Sequence, residues 1–178
     1  LTGLAMTRER ERGTMENLLA TPVRPLEVMV GKIAPYILIG YIQIGLILGA
    51  ARLLFEVPML GSLWLLLAFI GVFVVANLAV GFTFSTIARN QLQAMQMTFF
   101  FFLPSMLLSG FMFPFRGMPH WAQQLGELLP LTHFLRIVRG ILLKGSDAAA
   151  VLPELWPMLA FVAVAGAVAL GRYRRTLD

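Results

Sequence analysis

The only two histidines of the chain, His120 and His133, lie thirteen positions apart with Glu127 between them. Imidazole and carboxylate groups can bind a metal ion or act as acid and base catalysts. Zinc sites usually need more ligands at tighter spacing, and the chain has no cysteine that could supply them. We therefore predict no metal site, and we expect both histidines at the membrane surface.

Other kinds of chemistry are disfavoured by what the long apolar stretches contain. No ionisable residue lies deep in any of them, whereas proton-driven carriers usually have a buried carboxylate or histidine. The pattern G-x-x-x-x-G-K-[ST], which binds the phosphates of a nucleotide, is missing from the sequence. The chain is therefore not predicted to hydrolyse ATP or to bind a cofactor, and energy for any work must come from another protein.

The composition indicates a membrane protein. Hydrophobic residues make up 58% of the chain and charged residues only 13%, and a soluble domain has about 25% charged residues. The net charge is +5, but the basic residues lie at the ends of apolar runs rather than on one polar domain. This distribution favours membrane topology over nucleic-acid binding.

Four charge-poor runs are each about long enough to cross a bilayer as a helix, which takes roughly 20 residues. The sequence therefore predicts an all-α, polytopic membrane protein with transmembrane helices at 33–54, 61–87, 93–113 and 154–171. Alternation through these spans puts nine basic residues on one side, namely Arg8, Arg10, Arg12, Arg24, Lys32, Arg89, Arg172, Arg174 and Arg175. The other five, Arg52, Arg116, Arg136, Arg139 and Lys144, lie on the opposite side, so the first side is predicted to be cytoplasmic.

The remaining segments flank these spans within a single transmembrane domain that covers 1–178. Residues 1–7 are expected to end a preceding helix, and 8–32 form a cytoplasmic segment. Residues 115–153 form outer interfacial or re-entrant helices. In this outer segment Leu131, Phe134, Leu135, Val138 and Leu142 share one helical face, whereas Thr132, Arg136 and Arg139 share another.

Several side chains in the spans and the outer segment allow two interpretations. A hydrophobic substrate path could be lined by Phe99, Phe102, Met106, Ser109 and Gly110. Alternatively, these residues could face lipid and neighbouring helices. Polar residues of the second span, Asn77, Thr83, Ser85 and Thr86, are expected to bond between helices rather than contact substrate. Arg136 and Arg139 could bind lipid phosphate, pair with Glu127 or extend to the membrane surface.

A dense block of balanced charge, "RERERGTMENLLATP", runs from Arg8 to Pro22 and has three arginines and three glutamates. Because its net charge is zero, attraction to anionic lipid explains it poorly, and a protein contact or a solvated surface explains it better. Met15, Leu18 and Leu19 give a short apolar stripe at helical spacing, and Pro22 disfavours helix at the residue before it. The sequence thus predicts a brief amphipathic helix, which either contacts a protein or rests on lipid.

The block "RERERGTMENLLATPVRPLEVMVGK" resembles the cytoplasmic stretch of type-2 ABC exporter permeases. The matching residues are Glu9, Arg10, Glu11, Gly13, Thr14, Glu16, Leu18, Leu19, Thr21, Pro22, Glu27, Gly31 and Lys32. A second block is similar to the late span and outer helices of this family, through Leu108, Ser109, Gly110, Phe113, Pro114, Met118, Pro119, Pro130, Thr132, Arg139 and Gly145. The resemblance covers essentially the whole chain, which would correspond to the C-terminal portion of such a permease.

The resemblance implies an efflux permease of a bacterial-type cytoplasmic (inner) membrane, which moves a hydrophobic or amphiphilic substrate outward. Its partners would be an ATP-binding subunit, a second permease and membrane lipid, with ATP and magnesium held by the ATP-binding subunit. The opening block would be the coupling helix that docks on that subunit. Its coupling residues would be Glu9, Glu11, Gly13, Thr14, Glu16, Leu18, Leu19, Thr21 and Pro22.

Two other functional classes remain open at the level of the residues. One is a membrane enzyme that modifies lipid, for which His120, Glu127 and His133 are the candidate groups. The other is a membrane scaffold that transports nothing. Neither the cargo nor the choice between a homodimer and a heterodimer can be read from the sequence.

Overall fold

The structure is a computed structural model that describes residues 7–8, 11–13, 20, 22 and 24–175. Within these residues it has no strand and six helices of eight or more residues. They are α1 (Pro25–Phe55), α2 (Leu63–Ile87), α3 (Gln91–Leu108), α4 (His120–Glu127), α5 (Pro130–Lys144) and α6 (Ala148–Arg175). The predicted all-α fold is confirmed, and Glu9, Thr14, Glu16, Leu18, Leu19 and Thr21 lie outside the described residues.

Three of the helices are long and apolar enough to cross a membrane: Leu26–Phe55, Leu63–Ile87 and Ala148–Arg172. The prediction of a multi-pass membrane protein is therefore confirmed. The segment predicted as a span at 93–113 corresponds to α3, which ends at Leu108 and is not among the three. Its first two turns contain Gln91, Gln93 and Gln96, which lower the hydropathy of the helix. After α3 the chain leaves the helical path at Gly110, whose φ of +85° favours glycine.

Local signals position the ends of α2 and α3. The hydroxyl of Ser62 accepts a hydrogen bond from the N–H of Leu65 at 3.4 Å, which caps the start of α2. The side-chain oxygen of Asn90 accepts from the N–H of Gln93 at 2.8 Å and caps α3 in the same way. Because only residues 88–90 separate the two helices, α2 and α3 are antiparallel neighbours.

The apolar core lies where α2, α5 and α6 meet. Its buried members are Leu66, Phe69, Ile70, Ile137, Ile141, Val151 and Met158. The rings of Phe73 on α2 and Phe134 on α5 stack beside this core with centroids 4.0 Å apart. Helix α5 is thus packed inside the bundle against a membrane-spanning helix instead of lying only on a surface.

Small and polar residues join α2 to its other neighbours. The hydroxyl of Thr83 is 2.8 Å from the carbonyl oxygen of Ala79 and 3.3 Å from that of Ala165, so it links α2 to α6. On the opposite side, the hydroxyl of Tyr41 on α1 donates to the carbonyl oxygen of Leu67 at 2.9 Å. It occupies the space that a Cβ atom at Gly71 would need. α2 is therefore the helix around which the described bundle is assembled.

One sequence prediction about the outer segment was wrong in detail. Thr132 is on the predicted polar face of α5 but is buried, as are His133, Ile137, Gly140 and Ile141, whereas the predicted apolar face is only half-buried. His133 is 5% exposed, and its position at the level of the membrane surface stays a prediction. The physical reason is that Thr132 and His133 have hydrogen-bond acceptors inside the protein, so their burial does not leave polar atoms without partners.

Candidate functional sites at the two ends of the bundle

The first site is at the end of the bundle that is predicted to face the cytoplasm. This inner end consists of residues 7–8 and 11–13, the turn 88–90 and the start of α3. The backbone N–H of Gln91 donates to Oε1 of Glu11 at 2.8 Å, and the side-chain amide of Gln91 donates to the other carboxylate oxygen. These bonds, chiefly the one from the backbone, hold the pKa of Glu11 below that of an ordinary glutamate. The carboxylate therefore also satisfies one of the first N–H groups of α3.

A second contact joins the opening segment, which is the described part of residues 7–13, to the end of α2. The backbone N–H of Thr7 donates to the hydroxyl of Ser85 at 3.3 Å, and both residues are buried. Glu11 and Thr7 thus attach the same short stretch to α3 and to α2. A movement of that stretch would reach two membrane-associated helices through these bonds.

The described part of the predicted coupling segment includes Glu11, Gly13 and Pro22. Of these three residues, Glu11 makes side-chain hydrogen bonds to the bundle. Gly13 has a φ of +69° and open space around its Cα, and Pro22 is exposed. The assignment of the other coupling residues stays a prediction, because they lie outside the described residues.

The predicted substrate path divides into two groups along α3. Phe99 and Phe102 are 58% and 55% exposed, and with half-buried Met106 they follow one side of the helix at spacings of three and four residues. Ser109 and Gly110 are buried instead. The carbonyl oxygen of Gly110 accepts a hydrogen bond from Arg139 at 3.2 Å, which joins the segment after α3 to α5.

The second site is at the outer end, which consists of the loop 56–62, α4, α5 and the first turns of α6. Nδ1 of His133 lies 2.5 Å from a carboxylate oxygen of Glu154, and Nε2 lies 2.8 Å from the carbonyl oxygen of Glu127. The ring therefore bridges α4 and α6. His120 is exposed at the start of α4.

Arg136 completes an ionic cluster with these groups. Its guanidinium donates to both carboxylate oxygens of Glu127, at 2.5 and 3.0 Å, and to Glu154 at 3.5 Å. It also lies 4.8 Å above the ring of Phe115. The hydrogen bonds from Arg136 lower the pKa of Glu127 and raise that of Arg136 itself. Of the alternatives that the sequence left open for Arg136, pairing with Glu127 is the one the structure has.

A close approach between the backbones of α4 and α3 holds this cluster at the end of α3. A Cβ atom at Gly126 would lie 2.5 Å from the carbonyl oxygen of Leu108, so only glycine fits there. The hydroxyl of Thr132 donates to the carbonyl oxygen of Gly126 at 2.6 Å. These contacts fix α4 and α5 as a unit against α3.

The outer cluster does not resemble a catalytic centre. Both ring nitrogens of His133 are engaged by oxygen atoms, and the carboxylate of Glu127 is bound by Arg136. No group of three or more histidine, aspartate or glutamate residues in the described part of the chain could hold a metal ion. The arrangement can hold helices together, but it leaves neither a base nor a nucleophile available for hydrolysis.

Some residues of these sites were not identified from the sequence. Glu154 was assigned to the edge of a span, and nothing in its spacing linked it to His133, which precedes it by 21 positions. Gln91 was not among the predicted site residues, although it binds Glu11. Asn77 was expected to bond between helices, but its side chain donates to the carbonyl oxygen of Phe73 in its own helix. Long-range pairs of this kind leave no periodic signal in one sequence.

Comparison with known proteins gives one consistent family. Residues 1–143 match the family described as ABC-2 type transporter. The chain is 32% identical over 175 residues to the probable multidrug ABC transporter permease YbhR of Escherichia coli K12, with 98% of this chain and 48% of that protein covered.

Two further E. coli K12 proteins are similar. The inner membrane transport permease YhhJ is 33% identical over 178 residues, which cover 99% of this chain and 48% of YhhJ. The probable multidrug ABC transporter permease YbhS is 35% identical over 147 residues, which cover 82% of this chain and 39% of YbhS. The chain thus spans about half the length of YbhR and YhhJ. No solved structure shows a significant match.

Proposed function

Because the chain belongs to the ABC-2 type transporter family, we propose that it is part of the permease subunit of an ATP-driven exporter. The relatives named as multidrug or transport permeases support a transport role. The exporter would work in the cytoplasmic (inner) membrane, as YhhJ, an inner membrane transport permease, is named to do. ATP and magnesium would be bound by a separate ATP-binding subunit, and this chain would bind neither.

The observation on which the proposal depends is the double hydrogen bond from Gln91 to Glu11. It fastens the predicted coupling segment to the turn between α2 and α3, at the end predicted to face the cytoplasm. In the proposed mechanism the segment docks on the ATP-binding subunit, and closure of that subunit pushes the segment. The push reaches α3 through Glu11 and α2 through the bond between Thr7 and Ser85.

The cargo is proposed to be a hydrophobic or amphiphilic molecule that passes between two permeases. The exposed side of α3, with Phe99, Phe102 and Met106, offers an apolar surface of the required length. Apolar and thioether side chains adapt to ligands of different shape, which suits a broad substrate range. The second permease, identical or related, would supply the opposite wall.

The experiment uses the full-length permease and its ATP-binding subunit in proteoliposomes, with a fluorescent amphiphilic dye as cargo. Glu11→Ala removes both hydrogen bonds to Gln91, and we expect at least a tenfold fall in dye transport while the two subunits still copurify. Arg12→Ala is the matched control, because Arg12 is the exposed neighbour of Glu11. Equal transport by the two variants would contradict the coupling role. If wild-type protein moves no dye and shows no permease-dependent ATP hydrolysis, the exporter assignment itself fails.

A further inference from the structure

A cavity of about 410 Å³ lies at the outer end, between the second half of α5 and the first turns of α6. Three basic side chains line it, those of Arg136, Arg139 and Lys144, together with one acidic side chain, that of Glu154. The volume is within the range of pockets that bind small molecules, roughly 300–1,000 Å³. The charges around the cavity identify the kind of molecule that fits.

The basic residues of this cavity differ in how their charge is balanced. Arg136 is matched by Glu127 and Glu154. In the described part of the chain, no carboxylate lies within ion-pair distance of Arg139 or Lys144. Arg139 donates one hydrogen bond to the neutral carbonyl oxygen of Gly110, which leaves most of its guanidinium donors available. The cavity therefore carries an excess of positive charge and favours an anion.

The rest of the lining is suited to an amphiphile. Leu143, which is 51% exposed, and Val151 give the cavity an apolar wall, and the hydroxyl of Ser146 adds a small polar group. The cavity also touches the beginning of Ala148–Arg172, one of the membrane-spanning candidates. Lipid headgroups lie at the ends of such helices, beyond the hydrocarbon core of about 30 Å.

We propose that this cavity binds the phosphate headgroup of an anionic phospholipid from the outer leaflet. The guanidinium of Arg139 and the ammonium of Lys144 bind the phosphate, and the acyl chains follow the apolar wall beside Leu143. Arginine binds phosphate through two parallel hydrogen bonds, and lysine adds a point charge. Bound lipid of this kind connects α5 to α6 beside the ionic cluster, whose Arg136 and Glu154 also line the cavity.

The test measures lipid binding to the full-length permease in detergent by native mass spectrometry, with no requirement for transport or ATP. The probes are short-chain phosphatidylglycerol, phosphatidylcholine and inorganic phosphate. Phosphatidylglycerol is expected to be retained in preference to the other two. Lys144→Gln and Arg139→Gln should each weaken its binding by about fivefold, the loss expected for one basic side chain at an anionic headgroup.

Arg116→Gln is the matched control, because Arg116 is an exposed arginine of the same outer segment and does not line the cavity. It should bind phosphatidylglycerol as the wild type does. If loss of the bond to Gly110 unfolds the Arg139 variant, Lys144→Gln still tests whether the cavity binds the headgroup. Equal binding of phosphatidylglycerol and phosphatidylcholine would overturn the proposal, and so would equal losses in Lys144→Gln and Arg116→Gln. Preferential binding of inorganic phosphate would overturn the lipid as occupant.

Discussion

The two ends of the bundle are held by different kinds of interaction. At the outer end α5 and α6 share an apolar core with α2, and an ionic cluster around buried His133 joins α4, α5 and α6. At the inner end the attachments of the opening segment include the hydrogen bonds of Glu11, which is fully exposed, and the bond from Thr7 to Ser85, which are both buried. Exposed polar contacts are weak because water competes for the same groups. We therefore expect the exposed contact of Glu11 to be remade more easily than the buried contacts of the outer end.

This contrast suits the proposed mechanism, in which the ATP-binding subunit pushes the inner end. In that mechanism, a contact that docks and releases cannot depend on burying a large apolar area, since each release would expose that area to water. The outer helices would hold their positions while the inner end moves. The following three predictions test this difference, in order of decreasing effect on stability.

Substitution of Ile137 by alanine should have the largest effect. Ile137 lies on α5 and is fully buried against the neighbouring helices, so its truncation leaves a cavity. We expect a loss of about 3 kcal/mol in unfolding free energy, measured by denaturant unfolding of the purified protein in detergent. Ile42→Ala is the control, because Ile42 is 56% exposed on α1 and should change stability much less. Similar losses in both variants would show that the outer end is not packed as described.

Acidification should weaken the outer end through Glu127. Because Arg136 lowers the pKa of Glu127 in the folded protein, the stabilisation is present above the ordinary glutamate pKa of about 4.3. It is lost as the pH falls from there through the lowered pKa. Glu127 is partly exposed, so the expected loss is about 1 kcal/mol or less. Unfolding of Glu127→Gln should show less of this pH dependence, whereas Glu56→Gln, at an exposed loop residue, should keep it.

Substitution of Glu11 by alanine should leave the unfolding temperature unchanged, because the carboxylate is fully exposed. Its effect should be local: the N–H of Gln91 loses its acceptor and should exchange with solvent deuterium faster. Hydrogen exchange measured by mass spectrometry on the segment around residue 91 checks this, with Arg12→Ala as the control. A fall in unfolding temperature comparable to that of Ile137→Ala would remove the distinction between the two ends.

The long helices were predictable because their signal is continuous along the chain. The apolar runs that predicted spans at 33–54 and 61–87 contain the patterns that form α1 and α2, and Pro25 marks the first turn of α1. In the structure α1 begins at Pro25, earlier than the predicted span, because Glu27 and Lys32 can be part of a helix that continues beyond the membrane. The charge of Lys32 set the start of the predicted span at residue 33, but a charged residue does not end a helix.

The contacts within the sites were harder to predict, because they join residues that are distant in sequence. Glu11 could be singled out from its motif, but its partner Gln91 is 80 positions away. The burial of His133 could not be predicted, because its two acceptors, on Glu127 and Glu154, become neighbours only after α4, α5 and α6 pack. Its burial depends on that packing, which no local pattern records.

The hydroxyl of Tyr41, bonded to the carbonyl oxygen of Leu67, fills the space beside Gly71. Each of the two positions therefore limits what evolution can place at the other. An alanine at 71 requires a shorter side chain at 41, such as phenylalanine, which would give up the bond that now joins α1 to α2. We therefore expect substitutions at 41 and 71 to occur together among natural variants.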